Sequence, residues 1–127
     1  MKLRPFSSMA LVALIAVAPA SFARAATPPI NCRGARTPVD RMICASPETV
    51  ALDQEITALY NRGMARLVGA DRHRLAQTQL VYLRRRGGCD WAAHHSAHPG
   101  PAVTECVTGA MGDRLHFLRR LVDRGGD

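Results

Sequence analysis

Four cysteines, Cys32, Cys44, Cys89 and Cys106, follow what reads as an export leader in a chain of 127 residues. No other feature narrows the fold as much. The leader runs MKLRPFSSMALVALIAVAPASFARAA. Lys2 and Arg4 make a cationic start, Met9 to Ala18 is uncharged and apolar, and Ala23-Arg24-Ala25 has the small-x-small form that signal peptidase reads. About ten apolar residues fall short of the ~20 that a spanning helix needs. Residues 1–25 are therefore expected to be removed, leaving a mature chain 26–127 with no transmembrane anchor. Pro28-Pro29-Ile30-Asn31 before Cys32 does not resemble a lipidation box, so a product without a lipid anchor, periplasmic or secreted, is expected. In such a compartment an even number of cysteines in one small domain implies disulfides. No Cys-x-x-Cys occurs, which weighs against zinc-ribbon and redox sites. Four cysteines allow three pairings. Cys32–Cys44 with Cys89–Cys106 is favoured because each bond closes a short segment with little structure of its own. Each closure adds about 3 kcal/mol on the loop-entropy argument.

Periodicity between the cysteines is helical. Thr37-Pro38-Val39-Asp40 reads as a helix start: a capping hydroxyl, proline at the first position, and an acid near the positive end of the dipole. Ser46-Pro47-Glu48 repeats it, so the first helix is short. Leu52, Ile56, Leu59, Gly63 and Leu67 then form one stripe, with Asp53, Glu55, Asn61, Arg62 and Arg66 largely off it. Gly69-Ala70-Asp71 breaks the pattern and is expected to cap a third helix. Leu75, Ala76, Gln79, Leu80, Tyr82 and Leu83 are its expected inner face, and Gly87-Gly88 its end. A fourth helix is expected from about Thr104, with Val107, Met111, Leu115, Leu118 and Val122 inward and Gly125-Gly126-Asp127 fraying beyond it. Alternating β-branched runs and hairpin dipeptides are lacking. The expectation is one all-α domain: a small disulfide-stapled bundle of three main helices and one short one.

Charge excludes one class of partner. The chain holds 17 basic and 10 acidic residues; without Lys2, Arg4 and Arg24 the balance is 14 to 10, a formal +4 in which every base is arginine. That density is far below the polybasic level of a dedicated nucleic-acid binder, so no nucleic acid is expected.

Several segments together resemble a known family. CRGARTPVDRMIC, LDQEITALY, QLVYLRRRGGC and CVTGAMGDRLHFL look like the LprI-like N-terminal domain family over nearly the whole mature chain. The matching positions are Cys32, Arg36, Thr37, Pro38, Asp40, Ile43 and Cys44 in the first segment, and Leu52, Asp53, Ile56 and Tyr60 in the second. Gln79, Tyr82, Leu83, Arg86 and Cys89 match in the third, and Cys106, Val107, Arg114 and Leu118 in the last. Tyr82 stands where the family usually has tryptophan, and Asp40 where it usually has glutamate. The resemblance implies an exported lysozyme-inhibitor-like protein that binds and does not catalyse.

An inhibitor of that kind would place a basic or hydroxyl side chain between the carboxylates of a glycosidase cleft. A net +4 opposes approach to a cationic lysozyme and favours an acidic one. The alternative partner is an anionic envelope component, met by arginine patches at Arg84, Arg85 and Arg86 and at Arg119, Arg120 and Arg124. Both clusters also fall where a helix C-terminus favours positive charge. CDWAAHHSAHPGPAVTEC offers a third reading: on a helix, His94 and His98 stand at i and i+4 with Asp90 one turn earlier, half of a zinc or copper site. Pro99-Gly100-Pro101 is expected to end any such helix, and a stapled loop anchored by Trp91 on the bundle is the preferred reading. No cofactor is expected. Nucleophile elbows, glycine-rich phosphate loops and His-Glu-x-x-His are lacking, so no enzyme is expected, and Asp53 is assigned to an ion pair with Arg86 or Arg114.

Overall fold

The computed structural model describes residues 26–124. The expected leader, 1–25, and the tail Gly125-Gly126-Asp127 lie outside the described residues. After a single 3-10 turn at Cys32–Gly34 come five α-helices: α1 Pro38–Cys44, α2 Pro47–Arg66, α3 Gly69–Gly87, α4 Cys89–His94 and α5 Pro99–Arg124. No strand occurs among the described residues, so the all-α class holds, with one short helix more than expected.

The starts of α1 and α2 follow the capping logic. The Thr37 hydroxyl accepts the Asp40 N–H at 3.0 Å, and the Ser46 hydroxyl accepts the Thr49 N–H at 3.2 Å, each ahead of a proline at the first helical position. The Thr49 hydroxyl also donates to the Ile43 carbonyl, which pins the turn between the two helices. α3 starts differently. Val68 occupies the cap position with no side-chain bond, and Gly69 takes a φ of +54°, a conformation glycine adopts without steric cost. Gly69-Ala70-Asp71 therefore lies inside the first turn and does not cap it, and Asp71 pairs with Arg74 at 3.0 Å.

α5 begins five residues before the expected Thr104. Pro99 and Pro101 do not block it, because first-turn positions have no intrahelical acceptor to lose. The Ala102 N–H bonds the His98 carbonyl at 3.1 Å, which places His98 at the cap of α5. α4 ends at His94, so no helix carries both His94 and His98.

α3 runs antiparallel to both long neighbours. Gly63 of α2 sits against Leu75 and Asp53 against Arg86, while on α5 Asp113 meets Arg85 and Arg114 meets Thr78 and Gln79. α2 and α5 therefore point their C-termini the same way, away from the two cystines. The core is Val39 and Ile43 of α1, Ile56, Leu59 and Tyr60 of α2, Leu75 and Tyr82 of α3, Cys89, and Val103, Val107, Met111 and Leu118 of α5. A Cβ on Gly63 would lie 2.7 Å from Leu75 Cδ2, so the close approach of α2 and α3 uses the absent side chain.

Cys32 bonds Cys44 and Cys89 bonds Cys106, and no free cysteine remains among the described residues. The first bond ties the lead-in to α1; the second ties α4 to α5. Cystines of this kind belong to an oxidising, extracytoplasmic compartment.

Three expected core residues are not core. Leu80 and Leu83 are 49% and 39% exposed, because the inward line of α3 is Leu75, Gln79, Tyr82 and Arg86 and each leucine lies one residue, 100° of turn, from that line. Trp91 is 65% exposed. Cys89 and Ala93 face the bundle, which turns Trp91 outward to stack on His95 at 4.0 Å between ring centroids.

Candidate functional site

The side chains that the sequence singles out on α2, α3 and α5 meet in one buried polar network. Asp53, 3% exposed, accepts from Arg86 Nη1 at 2.8 Å through one carboxylate oxygen and from the Ile30 N–H at 2.7 Å through the other. Arg86 Nη1 also reaches the Tyr82 hydroxyl at 3.2 Å. Of the two expected partners for Asp53, the geometry selects Arg86.

Arg114 does something else. Only 5% exposed, it forks onto Gln79 Oε1 with Nε at 3.1 Å and Nη2 at 2.8 Å, and donates from Nη1 to the Thr78 hydroxyl at 3.0 Å. Its guanidinium carbon lies 5.2 Å from the Phe117 ring centroid, 5.6 Å from that of Tyr82 and 6.0 Å from that of Tyr60. It thus sits among amide, hydroxyl and aromatic faces with no carboxylate bonded to it. Burial pulls its guanidinium well below the ordinary arginine range, to about 10, against the opposing pull of Tyr82 and Tyr60. A guanidinium keeps its proton in proteins, so the depression expresses a cost of holding the charge there. Burial likewise raises the Tyr82 phenol, with Arg86 acting in the opposite sense. Among the described residues every buried side-chain nitrogen and oxygen has a hydrogen-bond partner.

The remaining motif positions serve α1. Thr37 and Pro38 start it, the Arg36 carbonyl accepts from Arg41, and Asp40 lies in the first turn. Leu52 packs at the core edge. The Asp90 carboxylate accepts the Val39 N–H at 3.2 Å, joining α4 to the first turn of α1. That bond and the break after His94 separate the three candidate metal ligands, and no cluster of three metal-binding side chains occurs among the described residues.

The arginine clusters also divide. Consecutive helical residues point 100° apart, so a run in sequence is not a patch in space. Arg85 pairs with Asp113 at 2.8 Å, Arg86 turns inward to Asp53, and Arg119 forks onto Glu55 of α2 with Nε at 3.0 Å. Arg84 and Arg120 stay exposed.

Two surface features had no counterpart in the sequence reading. A groove of about 530 Å³ lies between α2 and α3, floored by Tyr60, Met64, Ala76, Leu80 and Leu83. Thr27 lines its end, where its backbone bonds Asn61 in both directions at 3.0 and 2.8 Å. The second feature is charge segregation. Among the described residues at the end away from the cystines, Arg62, Arg66, Arg72, Arg74, Arg120 and Arg124 face only Asp71 and Asp123. At the cystine end, Arg33, Arg36 and Arg41 and the last-turn residues of α3, Arg84, Arg85 and Arg86, stand beside Asp40, Glu48, Asp53, Asp90 and Glu105, a nearly even balance.

No protein-family model matches the chain, and no match to it is found among curated proteins or solved structures. No helix among the described residues is long and apolar enough to cross a membrane.

Proposed function

We propose that this chain is an exported, non-enzymatic binding protein, periplasmic or secreted, that recognises an anionic partner of the cell envelope through the arginine-rich end of its bundle. The observation that carries this reading is the charge excess at one end, six arginines against two aspartates among the described residues. A field of one sign over one face steers and holds an oppositely charged partner, whereas the same charges dispersed would not. Binding is favoured over catalysis because the buried ionisable groups are committed to structure: Asp53 to Arg86 and Ile30, Arg114 to Gln79 and Thr78. Buried groups already held in ion pairs and hydrogen bonds support the bundle and do not face a substrate. The test is binding of the purified mature protein to isolated envelope polymers and vesicles at low and high salt. Binding that weakens steeply with salt, and in the double variant Arg66→Gln/Arg72→Gln, is expected. Salt-independent binding, or none to any anionic material, overturns the reading.

Lysozyme inhibition, implied by the family resemblance, is the second reading. It is favoured by the α2–α3 turn, where the exposed Arg66 and Arg72 stand on either side of the two connecting residues, cations suited to a carboxylate-lined cleft. A cell-wall lysis assay against cationic and acidic lysozymes decides it. Slowing at micromolar protein, stronger for the acidic enzymes, is expected; no slowing of either kind removes it.

A further inference from the structure

The α2–α3 turn forms the apex of the basic end, and its backbone sorts two adjacent apolar residues in opposite directions. The Leu67 N–H bonds the Gly63 carbonyl at 2.9 Å and its side chain packs at the core edge. Val68 next to it is 79% exposed, the highest value among the exposed large apolar side chains described. Gly69 then turns the chain into α3. A lone exposed valine is ordinary on any surface. Val68 differs in its surroundings: Arg66 ends α2 just before it and Arg72 and Arg74 follow in the first two turns of α3, all exposed, with Arg74 paired to Asp71, and Arg62, Arg120 and Arg124 lie on the same end of the bundle.

We infer that this end docks on an anionic lipid bilayer, with Val68 entering the headgroup layer and the surrounding arginines contacting lipid phosphates. The inference rests on the reading of the basic end as the recognition surface and names its partner. Charge complementarity alone would fit a soluble polyanion equally well. The apex decides between them, because only a bilayer places an apolar phase directly beneath a layer of negative charge. Guanidinium forks suit phosphate oxygens, and a branched apolar side chain at the tip gains free energy only where it leaves water. The geometry is that of a protein resting on a membrane surface.

The experiment is co-sedimentation of the mature, oxidised protein with vesicles of phosphatidylcholine alone and of phosphatidylcholine with phosphatidylglycerol, beside binding to soluble polyphosphate. Binding is expected to the anionic vesicles and not to the neutral ones. Val68→Ser, at an exposed position that leaves the circular dichroism unchanged, is expected to lower the vesicle partition about tenfold while leaving polyphosphate binding intact. Arg66→Gln/Arg72→Gln is expected to lower both, by about twentyfold on vesicles. With Trp91→Phe as background, Val68→Trp is expected to show a blue-shifted emission on anionic vesicles. Polyphosphate binding without vesicle binding, or vesicle binding indifferent to Val68, overturns the bilayer inference and leaves the anionic-partner reading standing. Binding to neither removes both.

Discussion

Arg114 is the residue on which the interior depends most heavily. Its charge is buried without a carboxylate, and what compensates it is the oxygen of Gln79, the hydroxyl of Thr78 and three aromatic faces. Arg114→Ala leaves Gln79 Oε1 buried without a donor and opens a void among Tyr60, Tyr82 and Phe117, so a loss of about 3 kcal/mol is expected in denaturant unfolding. Arg114→Met fills the void, and paired with Gln79→Leu it removes the orphaned oxygen as well. The double variant is expected to recover most of the loss, since apolar replacement of buried polar groups is often neutral. A double variant no more stable than Arg114→Ala would show that the aromatic contacts outweigh the hydrogen bonds. Tyr82 sets a pH dependence. Its phenol is raised by burial, so the folded state keeps the proton that the unfolded chain releases above its ordinary value of 10. The stability this contributes is complete below pH 10 and is lost as pH climbs towards the raised folded value. Tyr82→Phe should flatten the decline of the melting temperature above pH 10. A residue-level reading of the sequence reached Asp53 with two possible partners, because an acid beside a helix stripe needs a cation. Choosing Arg86 required knowing the register of α2 against α3, which no local pattern encodes.

At the scale of elements, local chemistry and packing divide the work visibly. α1 and α2 were readable because Thr37-Pro38 and Ser46-Pro47 carry their own start signals, and the structure uses both hydroxyls as caps. Thr37→Ala should cost about 1 kcal/mol, measured by denaturant titration. The sequence places the start of α5 five residues late because two prolines signal an ending in the interior of a helix and a beginning in its first turn. Leu80, Leu83 and Trp91 were misplaced for a related reason: apolar character says that a side chain is better buried, not which neighbour arrives to bury it. Gly63 shows the reverse. In the sequence it is a glycine on an apolar stripe, and in the structure it is where the side chain of Leu75 packs against α2. Gly63→Val is expected to force these helices apart at a cost of about 1–3 kcal/mol. A variant as stable as the parent would show that Leu75 has room to move.

For the molecule as a whole, two cystines stabilise a bundle whose core is small. Each closes a loop of modest length, 12 and 17 residues apart in sequence, for about 3 kcal/mol. Against a typical 5–15 kcal/mol of stability, that is a large fraction. Complete reduction should lower the melting temperature by about 20 °C or more, and maleimide applied to the denatured, unreduced protein should label no cysteine. A reduced protein that melts with the oxidised one would overturn this account of its stability. The same global arrangement turns a modest net charge into an asymmetric one. Arginines stand at both ends, but most of the acids fall near the cystines, so the excess positive charge lies where α2 and α5 finish and α3 begins.

Helix class, the caps of α1 and α2 and the oxidised state were determined by the sequence alone, because each rests on residues within a few positions of one another or on the compartment implied by the N-terminus. Which arginine meets which acid, which leucines stay in water, and the placement of positive charge and a bare valine at one tip were decided only by tertiary structure. Those outcomes depend on helix register and direction, and such contacts join residues some thirty to sixty positions apart, as in Asp53–Arg86 and Glu55–Arg119.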